Sequence, residues 1–222
     1  MKKLMTLMVL MLCITAATQA QVRFGIEGGM NMSGFSSHGK GTSKPDGLTP
    51  GFQLGATVDW NLSKHWVLGS GVTFMHIQNK EKEGTMANAT IRLNRLVAPL
   101  KIGYEFSAGN NWKIMPSIGM FASYNIGGTS SMDYVYDGNG NTKHYRWKSL
   151  GGCEGLPVEG ETGRLSVGMA PMRHFTYGGI AGVKATYKDH YTISLNYMEE
   201  MKRLHKGGLH TYNYSLSVGY KF

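Results

Sequence analysis

Apolar and polar residues alternate one for one along most of this chain. The clearest run is the last. Tyr212, Tyr214, Leu216, Val218, Tyr220 and Phe222 take the even positions, and Thr211, Asn213, Ser215, Ser217, Gly219 and Lys221 the odd ones. A period of two puts successive side chains on opposite faces of a strand, so this run predicts a strand with one apolar and one polar face. A strand with an unpaired apolar edge is a liability. The cheapest partner for this one is the first strand of the mature chain, and that pairing closes a barrel.

The same alternation recurs upstream. It predicts a first strand at Val22 to Met32, a second at Gly51 to Asn61 and a third from His65 to about Gln78. A fourth spans roughly Thr90 to Phe106. Within it Ile91 and Leu93 fall on the opposite phase to Leu96, Leu100 and Ile102, which predicts a bulge or kink near Arg95. Pro99 predicts a local break in pairing. A fifth strand covers Trp112 to Ile126, a sixth Phe175 to Tyr187, a seventh His190 to about Met198, and an eighth closes the chain. Between the fifth and sixth lies an irregular stretch, Gly127 to His174. Its one hairpin signal is Asp133 to Tyr136, then Asp137-Gly-Asn-Gly-Asn, then Lys143 to Trp147.

The connections alternate long and short. Leu62-Ser63-Lys64, Ser107 to Asn111 and Lys188-Asp189 are tight, whereas Ser33 to Thr49, Asn79 to Ala89, Gly127 to His174 and Glu199 to Leu209 are long. Short periplasmic turns and long external loops are the asymmetry of an outer-membrane barrel, with both ends of an even-stranded wall on the periplasmic side. The fold class expected is therefore all-β: an eight-stranded antiparallel up-and-down transmembrane barrel.

Alternation alone does not say which face is inside, since a lipocalin-like carrier is apolar within. Two patterns favour apolar outside. The polar face is rich in glycine (Gly25, Gly29, Gly55, Gly69, Gly71, Gly103, Gly119, Gly178, Gly182 and Gly219), which suits a narrow eight-stranded lumen that also holds long charged side chains. The apolar face gathers aromatics at the short-turn ends: Phe24, Trp60, Trp66, Tyr104, Phe106, Trp112, Tyr187, Tyr191, Tyr220 and Phe222. That is the expected periplasmic-side girdle of a membrane interface.

On the inward face, Arg23, Asp59, Glu105, Lys113 and Lys221 are expected to cluster near the periplasmic end. Glu27 and Lys101 fall at similar depth on roughly opposite walls. Buried charges are costly unless paired, so these two are expected to form a cross-lumen ion pair that helps plug the barrel.

Composition changes this picture at the N-terminus. Lys2 and Lys3 precede an apolar run, Leu4 to Ala17, and Thr18-Gln19-Ala20 has small residues where a signal peptidase would require them. Residues 1–20 read as a secretory signal peptide and residues 21–222 as one barrel domain with a large external insert, 127–174. Leu12 stands where a small residue would be needed for lipidation at Cys13. The mature chain keeps one cysteine, Cys153, and so no intramolecular disulfide; it reads as a loop thiol. Loss of the two lysines takes the net charge from +9 to +7. With no basic run or basic helix, phosphate-bearing outer-membrane lipid and lipopolysaccharide fit that charge better than nucleic acid does.

The opening VRFGIEGGMNMSGF, RLVAPLKIGYEF, MPSIGMFASYNIGG, FTYGGIAGVKATY, YTISLNYMEEM and the terminal YSLSVGYKF, in this order, resemble the PorT-like outer-membrane β-barrel family common in Bacteroidetes. The resemblance covers the eight strands and omits the insert. It implies a small barrel of the OmpX/OmpA-barrel type. It carries over no activity and no functional residue.

Chemistry is thin. GxSxG, HExxH and P-loop motifs are absent from the sequence, and Gly138 and Gly140 belong to a turn. Glu199, Glu200, His205 and His210 lie near the outer rim, but His210 and Ser215 have opposite phase, which works against a nucleophile–base pair. His144, His174, Glu154, Glu159 and Glu161 match no metal-ligand spacing. The expectation is a non-enzymatic barrel with no cofactor, metal or catalytic residue. Its external loops would serve binding, adhesion or envelope integrity. A protein partner would engage 127–174, and the C-terminal strand would engage the barrel-assembly machinery. External cations (Lys40, Lys44, Lys143, Arg146, Lys148, Lys202, Arg203 and Lys206) are candidates to hold lipopolysaccharide phosphates. The alternatives are a lipid A-modifying enzyme and a barrel component of a secretion machine.

Overall fold

The computed structural model describes residues 22–37, 47–83, 87–135, 142–158, 165–169, 171–202, 204 and 209–222. Its strands are β1 (Val22–Ser37), β2 (Thr49–Asn61), β3 (Trp66–Glu83), β4 (Ala87–Tyr104), β5 (Phe106–Ser107), β6 (Trp112–Gly127), β7 (Thr129–Val135), β8 (Thr142–Lys148), β9 (Cys153–Val158), β10 (Leu165–Met169), β11 (Phe175–Tyr187), β12 (Tyr191–Glu200) and β13 (Leu209–Lys221). Eight of them form the wall. β1, β2, β3 and β4 run in order, β4 pairs with β6, and β6, β11, β12 and β13 continue the circuit. The last strand returns to the first in an unbroken antiparallel ladder from Gly25↔Lys221 to Ser37↔Leu209. The alternating terminal strand thus closes the barrel as its pattern requires.

Burial is inside out relative to a soluble protein. Ile26, Met30, Leu54, Val72, Leu100, Ile118, Leu195 and Val218 are exposed on the outer face. Their strand neighbours Asn31, Gln53, Asp59, Thr73, Ser123, Lys184, Asn196 and Ser217 are buried in the lumen. An apolar outer band around a polar interior is stable where the surrounding medium is lipid. A soluble carrier with an apolar interior is excluded.

The strands outrun the sequence pattern at the outer end. β1 continues to Ser37, and β3 and β4 pair as far as Glu83↔Ala87, into the stretches read as loops. Charged and polar residues there obscure the period, but the ladder needs only backbone groups. The hairpin read at Asp133 to Trp147 is present as β7 and β8, and β7 extends the wall by pairing with Ala87–Ile91 of β4. A second hairpin, β9–β10, was not anticipated.

Two irregularities of β4 fall where the residues place them. The β4–β6 register shifts between Asn94 and Arg95. On its other edge, the β3–β4 ladder skips from Ser70↔Leu100 to Thr73↔Val97, across Pro99, which has no N–H to give. Ser70 Oγ donates to the Pro99 carbonyl at 2.9 Å instead. The reason for the shift differs from the one expected. Ile91, Leu93, Arg95 and Val97 share one face and are all buried. Ile91 and Leu93 do not change phase; they belong to an apolar core inside the outer half of the barrel. Met75, Ile77, Phe121, Ile180 and Met198 complete that core from the wall, and Met172 and Leu204 from the outer loops.

Candidate functional site

The lumen is built in two tiers, and charge organises both. At the short-turn end Asp59, on β2, receives two ammonium groups across the barrel: Lys184 Nζ at 3.1 Å and Lys221 Nζ at 2.7 Å. All three side chains are nearly inaccessible. Nearer the opening, Lys113 Nζ lies 2.6 Å from Asp189 and 3.7 Å from Glu105, and Arg23 reaches Asp189 at 3.5 Å. Arg23, Asp59, Glu105, Lys113 and Lys221 are therefore gathered at one end. Lys184 and Asp189 join them, the first from an inward position of β11 and the second from a tight turn. Lys188 and Asp189 both have positive φ, and His190 N–H bonds back to the Tyr187 carbonyl. This is a hairpin turn of the primed type, in which aspartate tolerates the left-handed conformation. The Lys113 hydrogen bond, followed by the Lys113 and Arg23 charges, holds the Asp189 carboxyl below the usual carboxylate range.

Glu27 and Lys101 face the same midlevel cavity, of about 30 Å³, with Gln53, Asn196 and Ser215. Their expected direct pairing is replaced. Lys101 Nζ donates to Asn196 Oδ1 at 3.3 Å. The cavity between the walls is large enough for about one or two water molecules, so similar depth did not bring the two charges into contact.

The outer tier holds a pair that the sequence reading missed. Arg95 Nη1 meets Glu200 Oε1 at 2.7 Å, with both side chains about 1% accessible. Thr176 Oγ1 donates to the same oxygen at 2.9 Å, and Thr211 Oγ1 donates to Oε2. Glu200, read as a solvated rim residue, is the last lumen position of β12. The period of two through Thr192, Ser194, Asn196, Met198 and Glu200 was the available signal. Nearby, Ser123 and Thr176 hydroxyls share a 2.6 Å bond, and Asn213 donates to Asn31 at 3.3 Å. Asn125 donates to the Arg173 carbonyl at 2.7 Å, tying an outer loop to the wall.

On the outer surface, aromatics form two belts. At the short-turn end Trp66 packs edge-on against Tyr104, Tyr191 and Phe222 edge-on against Tyr220, and Trp112 at a tilt against Tyr187. Phe24 and Phe106 are exposed in the same belt, and Trp60 is half-buried. A second belt, absent from the sequence reading, rings the other end: Phe52 with Phe74 and His76, Tyr124 with His174, Phe175 with Tyr177, and Tyr197 with Tyr214. Two aromatic belts around an apolar band mark the two membrane interfaces.

The chain belongs to the outer membrane protein beta-barrel domain family, which it matches over residues 4–222. Solved structures of similar fold include Ail, the attachment invasion locus protein of Yersinia pestis (13% identity, 91% of this chain and 99% of that chain, TM-score 0.43). OprG from Pseudomonas aeruginosa is similar at 15% identity over 91% of this chain and 97% of that chain (TM-score 0.44). The outer membrane enzyme PagL is similar at 12% identity over 90% and 98% (TM-score 0.43). No curated protein matches the sequence. The protein is thus an outer-membrane β-barrel.

The remaining candidate residues of this barrel lie apart. Ser215 is buried in the lumen, while His210 sits at the rim with Nδ1 3.0 Å from the Glu200 carbonyl. Glu199 accepts from Tyr197 Oη at 3.0 Å on the outer face. His144 pairs with Asp133 at 2.6 Å on the external hairpin, and His174 stacks on Tyr124 at the outer belt. Among the described residues no group of three or more His, Cys, Asp and Glu converges on a common point. Of the external cations, Arg146 and Lys148 are exposed on β8 and Lys143 is half-buried. Lys202 Nζ lies over the rings of Phe175 and Tyr177, at 5.1 and 5.9 Å. Lys40, Lys44, Arg203, Lys206, His205, Glu159, Glu161, Gly138, Gly140, residues 1–20 and the side chains of Cys153 and Glu154 lie outside the described residues.

Proposed function

We propose that this barrel is a non-enzymatic outer-membrane protein, closed to solute flow, that presents its external segment 127–174 to a binding partner and contributes to envelope integrity or adhesion. One observation carries the reading. The lumen is filled from wall to wall, by the Asp59–Lys184–Lys221 cluster below and by Arg95–Glu200 with the apolar core above. The wall meanwhile continues outward through β3, β4, β7 and β8. Sheet built past the membrane level does not serve the barrel's insertion, and it gives the external segment a rigid base. The separation of His210 from Ser215 argues against a lipid-modifying enzyme of the nucleophile–base kind. The PorT-like affinity, a leader cleaved before Gln21, contacts with lipopolysaccharide and recognition of the C-terminal strand by the assembly machinery belong to this same reading.

The test replaces Thr129–Lys148 with a short Gly-Ser linker and compares it with wild type in pull-downs from detergent-solubilised envelopes. The barrel is expected to keep its heat-modifiable gel shift and to lose the proteins that wild type retains. An identical set of retained proteins would count against the proposal.

A further inference from the structure

The outward row of β11 reads Phe175, Tyr177, Gly179, Ala181, Val183 and Ala185. Gly179 stands between Met120 and Glu199, and Ala181 between Ile118 and Tyr197. Two small residues among large neighbours leave an open hollow in the lipid-facing wall, of about 700 Å³, with Met201 and His210 among its lining residues at the outer end. That volume is in the range that holds one small ligand. The hollow faces the membrane, so its occupant comes from the lipid phase. Its floor is apolar, and polar groups appear only at the end nearest the outer belt. Glu199 lies there, and Lys202 follows directly after Met201. The backbone N–H groups of Met201 and Lys202 both bond to the Tyr177 carbonyl, at 3.0 and 3.3 Å. The Lys202 ammonium lies over Phe175 and Tyr177, the outward residues of β11 that follow Gly179 toward the outer rim.

An apolar trough with a cation and a carboxylate at its interfacial end matches a lipid with one acyl chain in the trough, a phosphate at the cation, and a hydroxyl-bearing headgroup donating to the acid. We infer that this hollow binds a single phosphorylated glycolipid of the outer leaflet, with an acyl chain along Gly179 and Ala181 and a phosphate at Lys202. The inference deepens the envelope reading by naming a lipid site on the wall. It does not depend on the external hairpin's partner.

The hollow can be filled without disturbing the wall, because a Cβ at Gly179 would meet only Met201 Cε, at 3.6 Å. A second depression at the opposite interface, lined by Ile26, Gly28, Leu54, Tyr191, Val218 and Tyr220, supplies a control. A Cβ at Gly28 meets Leu54 Cδ1 at 3.4 Å. Detergent-purified wild type, G179L/A181L, K202E and G28L are each incubated with purified lipid A or with phosphatidylglycerol, and bound lipid is counted by native mass spectrometry. Heat-modifiability confirms that each variant is folded. Wild type and G28L are expected to hold one lipid A, G179L/A181L to lose about tenfold in retention and K202E about fivefold. Unchanged retention in the filled variant would overturn the site. Phosphatidylglycerol held as well as lipid A would overturn the ligand. Lys202 lies outside the wall strands, so K202E keeps the test decisive if the filled barrel fails to fold. Loss of lipid with hairpin partners retained, or the reverse, separates this proposal from the preceding one.

Discussion

Arg95 and Glu200 show what a charge inside a barrel requires. Each is out of contact with solvent, and the carboxylate is satisfied by one guanidinium and two threonine hydroxyls. Removing one partner leaves the other buried and uncompensated, which typically costs about 3–5 kcal/mol. Glu200→Ala is therefore expected to lower the urea midpoint of the micelle-bound barrel strongly. The double variant R95M/E200M, which removes both charges and keeps the volume, is expected to recover most of the loss. Equal destabilisation by the single and double variants would mean that packing, not charge, is what the pair supplies.

Asp189 sits at the other extreme, half exposed in a turn. Its carboxyl is held below its ordinary value, chiefly by the Lys113 hydrogen bond. A depressed carboxylate contributes stability that is fully present above its unfolded value, about 3.9. That contribution is lost as pH falls through the lower folded value. Solvent screening limits it to under about 1 kcal/mol. Lys113→Met is expected to lower stability at neutral pH by this small amount and to flatten the acid limb, so that variant and wild type converge below pH ~4. An unaltered acid limb would show that the turn does not depend on this bond.

The wall strands were largely legible because lipid outside and polar atoms inside impose a strict period of two. The terminal ladder was visible in that period, and the tight turns and the break at Pro99 as departures from it; the shift beside Arg95 was placed correctly, but from inward apolar residues that do not cause it. What stayed hidden has physical reasons. The outer end of β3, from Gln78 to Glu83, is polar at every position, so alternation disappears where that strand leaves the membrane. Ile91, Leu93 and Val97 are apolar yet face inward, and a rule that sends apolar residues outward misplaces them. Lys184 and Glu200 find partners 125 and 105 residues away in sequence, which no local pattern reveals. The glycines were read as space-savers, and at Gly55 and Gly182 the neighbouring Thr73 and Asn196 side chains do use that space. At Gly29 and Gly119 the demand is sharper. A Cβ would overlap the carbonyl oxygen of Leu216 or Leu100 on the next strand. Gly29 lies on the β13–β1 closure and Gly119 on the β4–β6 closure. Gly119→Val is expected to abolish the heat-modifiable form on gels, whereas Gly179→Ala on the outer face leaves it intact. A normal shift for Gly119→Val would show that the seam tolerates a side chain.

At the scale of the whole molecule, the question is what closes the lumen. If external loops formed the plug, removing them would open a path for ions. Among the described residues the plug comes mostly from the wall itself: Met75, Ile77, Ile91, Leu93, Val97, Phe121, Ile180 and Met198 belong to barrel strands, while Met172, Leu204 and the partly buried Leu150 come from loops. Asp59, Lys184 and Lys221 likewise arise from three different wall strands. An eight-stranded barrel has room for little beyond its own side chains, and here those side chains interlock. Wild-type protein in a planar bilayer is therefore expected to show no ohmic conductance, and replacement of Thr129–Lys148 by a linker is expected to leave it silent. Conductance should appear when the wall's own plug is dismantled, as in a variant combining Phe121→Ala, Met75→Ala and Met198→Ala. These three positions face the lumen from β6, β3 and β12, so trimming them opens the outer tier without touching the lipid face. Current through the linker variant, with the trimmed barrel silent, would move the gate from the wall to the loops and end the reading of this protein as a closed barrel.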